Sequence, residues 1–450
     1  MIQALQLLGS LSILIVLHEL GHFLAAKYFK VRVEKFYLFF DFLFPMPDVM
    51  KFSLFKKKIG DTEYGIGWFP MGGYVQMSGI MDETMDKDAL AKPAEPYEFR
   101  AKPAWQRLII LLGGIIVNVL LAFVIYTGMA YTWGDKYLPT ENAIYGIAVD
   151  SLGTEIGLQN GDLITHVDGV KKENFNDIKS SMIFDLGKNI TVKRGSESFV
   201  IDGLDDKFYK KVLDTKGAGL YTLAVPAVIN GFPKNSAIEN AGAKVGDKLI
   251  SINGKQINYQ SDVSNMKPEL INKELTVVLD RNGKQETVTL KTGEKGLLGY
   301  QINSLEETFE FGRREYTFGE AIVAGPVKTW ETLVNYIKQF KLIFNSEIKG
   351  YKQIGGFAAI GSMFPETFSW EVFWKLTAFL SVMLAFLNLL PIPALDGGHA
   401  VFTLYEMIVG KPANEKFMEI AQIIGMVILF GLLIFANGND LVKWVMTKFG

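Results

Sequence analysis

The 450-residue chain contains no cysteine, which excludes disulfides and thiolate metal sites. Any bound metal must therefore be held by histidine, aspartate or glutamate, although the missing thiols assign no compartment. Histidine is scarce as well, with four in the chain, and the net charge is only −2. So balanced a charge implies no nucleic-acid partner. What the chain has in quantity is apolar surface: 49% of its residues are hydrophobic and 33 are Phe. That composition mixes membrane segments with soluble parts.

Four segments are long and apolar enough to cross about 30 Å of hydrocarbon at about 1.5 Å per helical residue. They are roughly Ile2–Phe29, Leu108–Trp133, Val372–Leu395 and Ile420–Ala436. The first has no basic stretch before its apolar run, as a signal peptide would, and is expected to stay in the mature protein. About thirteen Lys and Arg lie between Lys27 and Arg107, Lys56-Lys57-Lys58 among them, which assigns that loop to the cytoplasm. Both termini and the segment from Gly134 to Trp370 are then expected on the far side.

Half of the histidines fall in His18-Glu19-Leu20-Gly21-His22, inside the first apolar segment. On a helix, positions i and i+4 lie one above the other, so His18 and His22 can each point a ring nitrogen at one ion. Glu19 adjoins the first ligand and is placed to act on water activated there. Ionisable residues at membrane depth cost free energy and are by default a functional site.

A catalytic zinc takes three protein ligands, and the best third candidate lies far down the chain. Span three ends Asn388-Leu389-Leu390-Pro391-Ile392-Pro393-Ala394-Leu395-Asp396-Gly397-Gly398-His399, where two prolines break the helix just before a carboxylate. Asp396 is the expected ligand, at the same membrane face as His22. Asn388, with two donors and an acceptor, can hold an extended peptide backbone. His399 reads as a group behind the ligands or as one facing water. Asn118, the lone amide of span two after Gly113-Gly114, reads as an interhelical packing bond.

The external segment carries an internal repeat. Gly157-Leu158-Gln159-Asn160-Gly161-Asp162-Leu163-Ile164 through Asp168-Gly169 returns 85 residues later as Gly242-Ala243-Lys244-Val245-Gly246-Asp247-Lys248-Leu249 through Asn253-Gly254. Each copy reads as a Gly-Asp turn, a strand and a hairpin turn, and resembles a PDZ domain. Such domains accept a peptide beside an exposed strand, or serve here only as a spacer or size filter. His166, within the first copy, reads as a surface residue. Apolar residues at helical spacing from Phe318 to Ile348 predict an amphipathic helix that lies on the outer leaflet, gates substrate entry or packs on the PDZ-like pair.

Taken together, H-E-L-G-H, the Asn388–Gly398 run, Gly72-Gly73-Tyr74-Val75 and the tandem PDZ-like copies resemble the site-2 protease family of intramembrane zinc metalloproteases, of the bacterial RseP type. The resemblance covers essentially the whole length. It implies zinc as cofactor, His18, His22 and Asp396 as its ligands, and Glu19 as the catalytic residue. It also implies that Val33 to Met77, with Pro45, Pro47 and the glycines Gly65, Gly67, Gly72 and Gly73, is a membrane-associated β-hairpin. There Gly72, Gly73 and Tyr74, together with Asn388, would bind unwound substrate.

The family's substrates are transmembrane segments of single-span proteins, such as anti-sigma factors and signal-peptide remnants. The implied location is the inner membrane, with the PDZ-like domains outside the cytoplasm. In related proteins a Gly-Pro-[Ile/Val] run often precedes span three, whereas here Gly355-Gly356-Phe357 holds that place and Gly325-Pro326-Val327 comes earlier.

The expected fold is a multi-pass α-helical membrane protein of four transmembrane helices with a β-hairpin loop and two inserted α+β domains. Its parts are helix one with the zinc motif (1–30), the loop (31–103), helix two (104–133), the two PDZ-like domains (134–212 and 213–300), an amphipathic linker (301–368), helix three (369–399) and helix four (416–440). Two other classes stay open. A catalytically inactive membrane PDZ receptor would have a broken motif, and a zinc transporter would have polar groups spread over several spans.

Overall fold

Long helices in which apolar residues cover every face must bury or immerse that surface, and four such helices frame the first of two structural units. The computed structural model describes the backbone of residues 1–43, 46, 49–70, 72–80, 93–215, 220–348 and 350–449. Pro45 and Pro47 of the expected hairpin lie outside these residues. The first unit comprises residues 1–134, 315–337 and 354–450. Its helices are α1 (Ile2–Tyr28), α2 (Ala104–Trp133), residues 318–337 of α3 (Phe318–Ile343), α4 (Phe357–Ser362), α5 (Trp370–Leu389), α6 (Asp396–Val409) and α7 (Glu415–Phe449). Those long and apolar enough to cross a membrane are Ile2–Tyr28, Ala104–Trp133, Trp370–Leu389 and Lys416–Val442.

Helix α2 is the centre of this unit, packing against α1, α5 and α6. It approaches α1 so closely that a Cβ added to Gly21 would lie 2.3 Å from the Gly113 carbonyl oxygen. Small residues at such a crossing let backbones touch, which replaces the hydrophobic drive that lipid does not supply. Buried hydroxyls tie the same helices together: Thr377 Oγ1 donates to Ser10 Oγ at 3.0 Å, and Ser381 Oγ to the Asn118 carbonyl at 2.8 Å.

Between α1 and α2 the chain forms a four-stranded sheet: β1 (Val33–Leu38), β2 (Ser53–Ile59), β3 (Thr62–Gly67) and β4 (Tyr74–Met77) in the order β2-β3-β1-β4. A hairpin is present as β2-β3, but β1 joins β3 in parallel and β4 joins β1 antiparallel. The region is thus a larger sheet than the expected hairpin, and β4 is its terminal strand.

Span three is shorter than read from sequence. The continuous helix stops at Leu389, Leu390 is extended (φ −60°, ψ 144°), and α6 begins at Asp396. The cause is local: the residue before a proline is pushed out of the helical region, and Pro391 and Pro393 follow in succession. Helix α6, absent from the expected organisation, folds back because glycine lines the turn. A Cβ on Gly397 would meet the Leu389 and Leu390 carbonyl oxygens at 2.5 Å.

The first part of α3 packs within this unit. Thr332 Oγ1 donates to Tyr126 Oη at 3.2 Å, Tyr336 stacks edge-on against Phe379 and Phe386, and Gly325 of the early Gly-Pro-Val run abuts Phe123 and Thr127. Phe318, Ile322, Val323, Val327 and Trp330 remain exposed.

The second unit comprises residues 135–314 and 338–353 and makes the repeat visible as structure. Strands β5 (Leu163–Val167), β6 (Val170–Lys171), β7 (Asn189–Arg194) and β8 (Glu197–Asp202) form the sheet β8-β7-β5-β6. Strands β9 (Lys248–Ile252), β10 (Lys255–Gln256), β11 (Glu274–Arg281) and β12 (Lys284–Lys291) repeat it as β10-β9-β11-β12. The tight turns use Asp168-Gly169 and Asn253-Gly254, all four at positive φ, as such hairpins demand. Each copy also ties a buried aspartate to a partly exposed arginine. Arg194 grips Asp162 with Nε and Nη2 at 2.7 and 2.8 Å, and Arg281 grips Asp247 at 2.8 and 2.7 Å. Each arginine also donates to the carbonyl of the repeat's first glycine, Gly157 or Gly242, at 2.9 Å.

Candidate metal centre

The helical repeat of α1 puts His18 and His22 on one buried face, against α2. Their Nε2 atoms are 3.2 Å apart, and Asp396, the first residue of α6, brings Oδ2 to 3.1 Å from one and 3.3 Å from the other. One ligand atom from each of the three falls within 4.8 Å of the others. Residues 374 positions apart in sequence thus converge because the broken end of α5 returns the chain to α1. The space for the two rings comes from α2, where a Cβ on Gly114 would lie 2.5 Å from both His18 Cε1 and His22 Nε2.

The donor chemistry fits a zinc ion. His22 Nδ1 lies 2.8 Å from the Ile110 carbonyl, which can only accept, so Nδ1 carries the proton and Nε2 presents its lone pair. Asp396 Oδ2 is buried and faces both rings, with no other polar partner. Two imidazole nitrogens and a carboxylate oxygen that converge in this way match the donor set of a catalytic zinc site, which keeps a further position open.

Glu19 lines the same cavity of about 180 Å³, together with Gly73, Tyr74, Val75, Asp396, His399 and Gln422. Strand β4 reaches it by close packing. A Cβ on Gly73 would meet the Tyr37 carbonyl at 2.7 Å, Ile15 Cγ2 at 2.8 Å and Glu19 Cγ at 3.3 Å. Tyr74 stacks on Tyr37 (5.2 Å, 14°) and its hydroxyl donates to buried Asp41 at 2.9 Å, while Tyr37 donates to Glu63 at 2.7 Å. Burial first, and then the neighbouring carboxylates, keep both phenols neutral: Tyr37 is pushed up to about 12, and Tyr74 further. This network fixes the terminal strand beside the site. Gly72 instead packs on the Phe40 ring and does not line the cavity.

Asn388, at the end of α5, brings Nδ2 to 3.3 Å from His18 Nε2. His399 is half-buried at the cavity wall, and His166 is held 2.9 Å from Thr165 in the second unit. Three participants escape a search for ligand motifs. The Ile110 carbonyl is a backbone atom and leaves no mark in sequence, and Gln422 is one amide in a long apolar helix. Asn118 makes an interhelical bond as expected, but its partner is His18 Nδ1, at 3.1 Å. Its isolation in an apolar span was the available signal.

These features agree with what the chain resembles. It is 27% identical to the regulator of sigma-E protease RseP of Escherichia coli and 26% identical to the protease RseP of Yersinia pestis, each alignment covering 96% of both chains. It is 26% identical to the "Putative zinc metalloprotease NMA0084" of Neisseria meningitidis over 96% of this chain and 97% of the other. The family model of peptidase family M50 matches residues 6–432, nearly the full length and both halves of the centre, so the chain belongs to this family of zinc-dependent membrane metallopeptidases.

Proposed function

We propose that His18, His22 and Asp396 hold the zinc ion and that Glu19 is the general base for hydrolysis of a peptide bond within a transmembrane segment. The observation that carries this reading is the convergence of two imidazole Nε2 atoms and one buried carboxylate oxygen in a cavity walled by α1, α6 and β4. Zinc bound there supplies Lewis acidity, which acidifies water and polarises a carbonyl. Glu19, on the wall of the cavity, takes the proton of the attacking water and delivers it to the leaving nitrogen. No side chain forms a covalent bond to the substrate.

A peptide bond in a transmembrane helix is shielded, with its carbonyl already hydrogen-bonded, and lipid offers no replacement when the helix unwinds. Strand β4 is the terminal strand of its sheet and runs past the cavity, so an unwound segment can add to it and keep its backbone groups paired. Gly73 lets the strand approach Glu19, Tyr74 anchors it, Gly72 supports it through Phe40, and Asn388 offers its amide to the bound backbone. In this reading the sheet is membrane-associated and its loop is cytoplasmic. The repeated domains of the second unit are PDZ-like and lie outside the cytoplasm of an inner membrane, where they bind a peptide or exclude bulky proteins. The substrates are single-span proteins, including anti-sigma factors and signal-peptide remnants.

A dead receptor and a zinc transporter make different predictions from a protease. The purified chain in lipid vesicles, given zinc and a single-span peptide, is expected to cut the peptide inside its apolar segment without moving zinc across the bilayer. Zinc uptake with an intact peptide would establish the transporter, and neither activity would leave the receptor.

A further inference from the structure

We infer that Asn118 is a positioning residue that accepts a hydrogen bond from His18 Nδ1 and thereby fixes the ring tautomer that binds metal. The inference rests on the reading of His18 as a zinc ligand. Helix α2 presents Ile110, Gly114 and Asn118 at intervals of four, one face turned toward both imidazoles. Ile110 fastens His22 through its carbonyl, Gly114 leaves room for the rings, and Asn118 meets His18 eight residues after Ile110.

Asn118 is fully buried, and its side-chain amide lies 3.1 Å from His18 Nδ1. With Nδ2 toward the ring, two things go wrong at once. Oδ1 is left buried and without a partner, and a donor at Nδ1 forces the ring proton onto Nε2. That nitrogen faces Asp396 Oδ2 and His22 Nε2, so a proton on it would block the metal position. The oxygen and nitrogen of an amide have the same shape, and their assignment follows from the hydrogen bonds they make. Rotated by half a turn, Oδ1 takes the place beside the ring and accepts from Nδ1–H. Oδ1 then has its partner, Nδ2 takes the place that Oδ1 held, and His18 Nε2 presents its lone pair, as His22 Nε2 already does. A histidine ligand donates its other N–H in this way in most metal sites, and loss of such a partner costs about 10–100-fold in affinity.

The test compares zinc dissociation constants of the purified full-length chain, measured against a chromophoric chelator, for wild type, Asn118→Leu, Asn118→Asp and His18→Ala, each checked for helical circular dichroism. Asn118→Ala replaces the leucine variant if that one does not fold. Removing the amide is expected to weaken zinc about 10–100-fold. Asn118→Asp, which can only accept, is expected to restore affinity to within a few-fold of wild type. A merely structural amide predicts the reverse, since a carboxylate is the worse tenant of an apolar helix interface. The inference is overturned if the apolar variant keeps wild-type affinity while His18→Ala loses it, or if Asn118→Asp fails as the apolar variant does. Retained affinity in His18→Ala would instead overturn the ligand reading beneath it.

Discussion

Gly114→Ala adds one methyl group at the point where α2 faces both imidazoles. The new carbon would lie 2.5 Å from His18 Cε1 and His22 Nε2 and 2.7 Å from His18 Nδ1. Relaxed contacts between such atoms are about 3.5–4.0 Å, so the overlap is roughly 1 Å. The rings have little freedom to yield, because His22 is tied to the Ile110 carbonyl and Gly21 already touches the α2 backbone at Gly113. Relief must come from parting α1 and α2 locally, an overpacking that costs about 1–3 kcal/mol. A metal site tolerates about 0.5 Å of displacement, so a shift of this size should weaken zinc about 10–100-fold. At about 1.4 kcal/mol per tenfold, that loss agrees with the packing estimate. Chelator competition on purified protein measures it. Gly128→Ala is the control on the same helix, since its Cβ would meet nothing within 4 Å. Zinc affinity of Gly114→Ala within twofold of the control would refute the packing argument.

Other consequences follow from the sheet and the second unit. The Gly73→Ala methyl would press on Tyr37 and Ile15, so β4 should retreat from Glu19 and cleavage should fall at unchanged zinc content; equal loss of both would argue against a substrate-side role. Tyr74→Phe removes a donor from buried Asp41 and should destabilise the sheet by about 1–3 kcal/mol, seen as a lower unfolding temperature in detergent, and an unaltered one would contradict it. The hydrogen-bonded Arg281 guanidinium holds the Asp247 carboxyl below its ordinary 3.8. The stability from this pair is therefore complete above about pH 4 and lost as pH falls through the lower, folded value. Limited proteolysis of the full chain within residues 220–300 should rise at acid pH in wild type and depend less on pH in Asp247→Asn, and identical profiles would refute the coupling.

The parts of this molecule legible in sequence were those whose chemistry is local. His18 and His22 share one helix at a spacing that any α-helix turns into a single face, and the Gly-Asp and Asp-Gly or Asn-Gly turns of the repeat specify their own backbone. Asp396 was legible less directly, through the two prolines that had to end a membrane helix. What stayed hidden depended on contacts between distant segments. The parallel pairing of β1 with β3, the return of α6, the Gly21–Gly113 crossing and the carbonyl of Ile110 are set by tertiary packing, which no single-chain periodicity encodes. Asn118 stands between these cases. Its oddity in an apolar helix was plain, and its partner was not.

Cleavage of a single-span membrane peptide by zinc-loaded wild type and zinc-loaded Glu19→Gln, followed by mass spectrometry, tests the central claim most directly. Wild type is predicted to release fragments cut within the apolar segment, and Glu19→Gln to bind the same amount of zinc and release none. Fragments from the Glu19→Gln protein at a comparable rate would contradict the account.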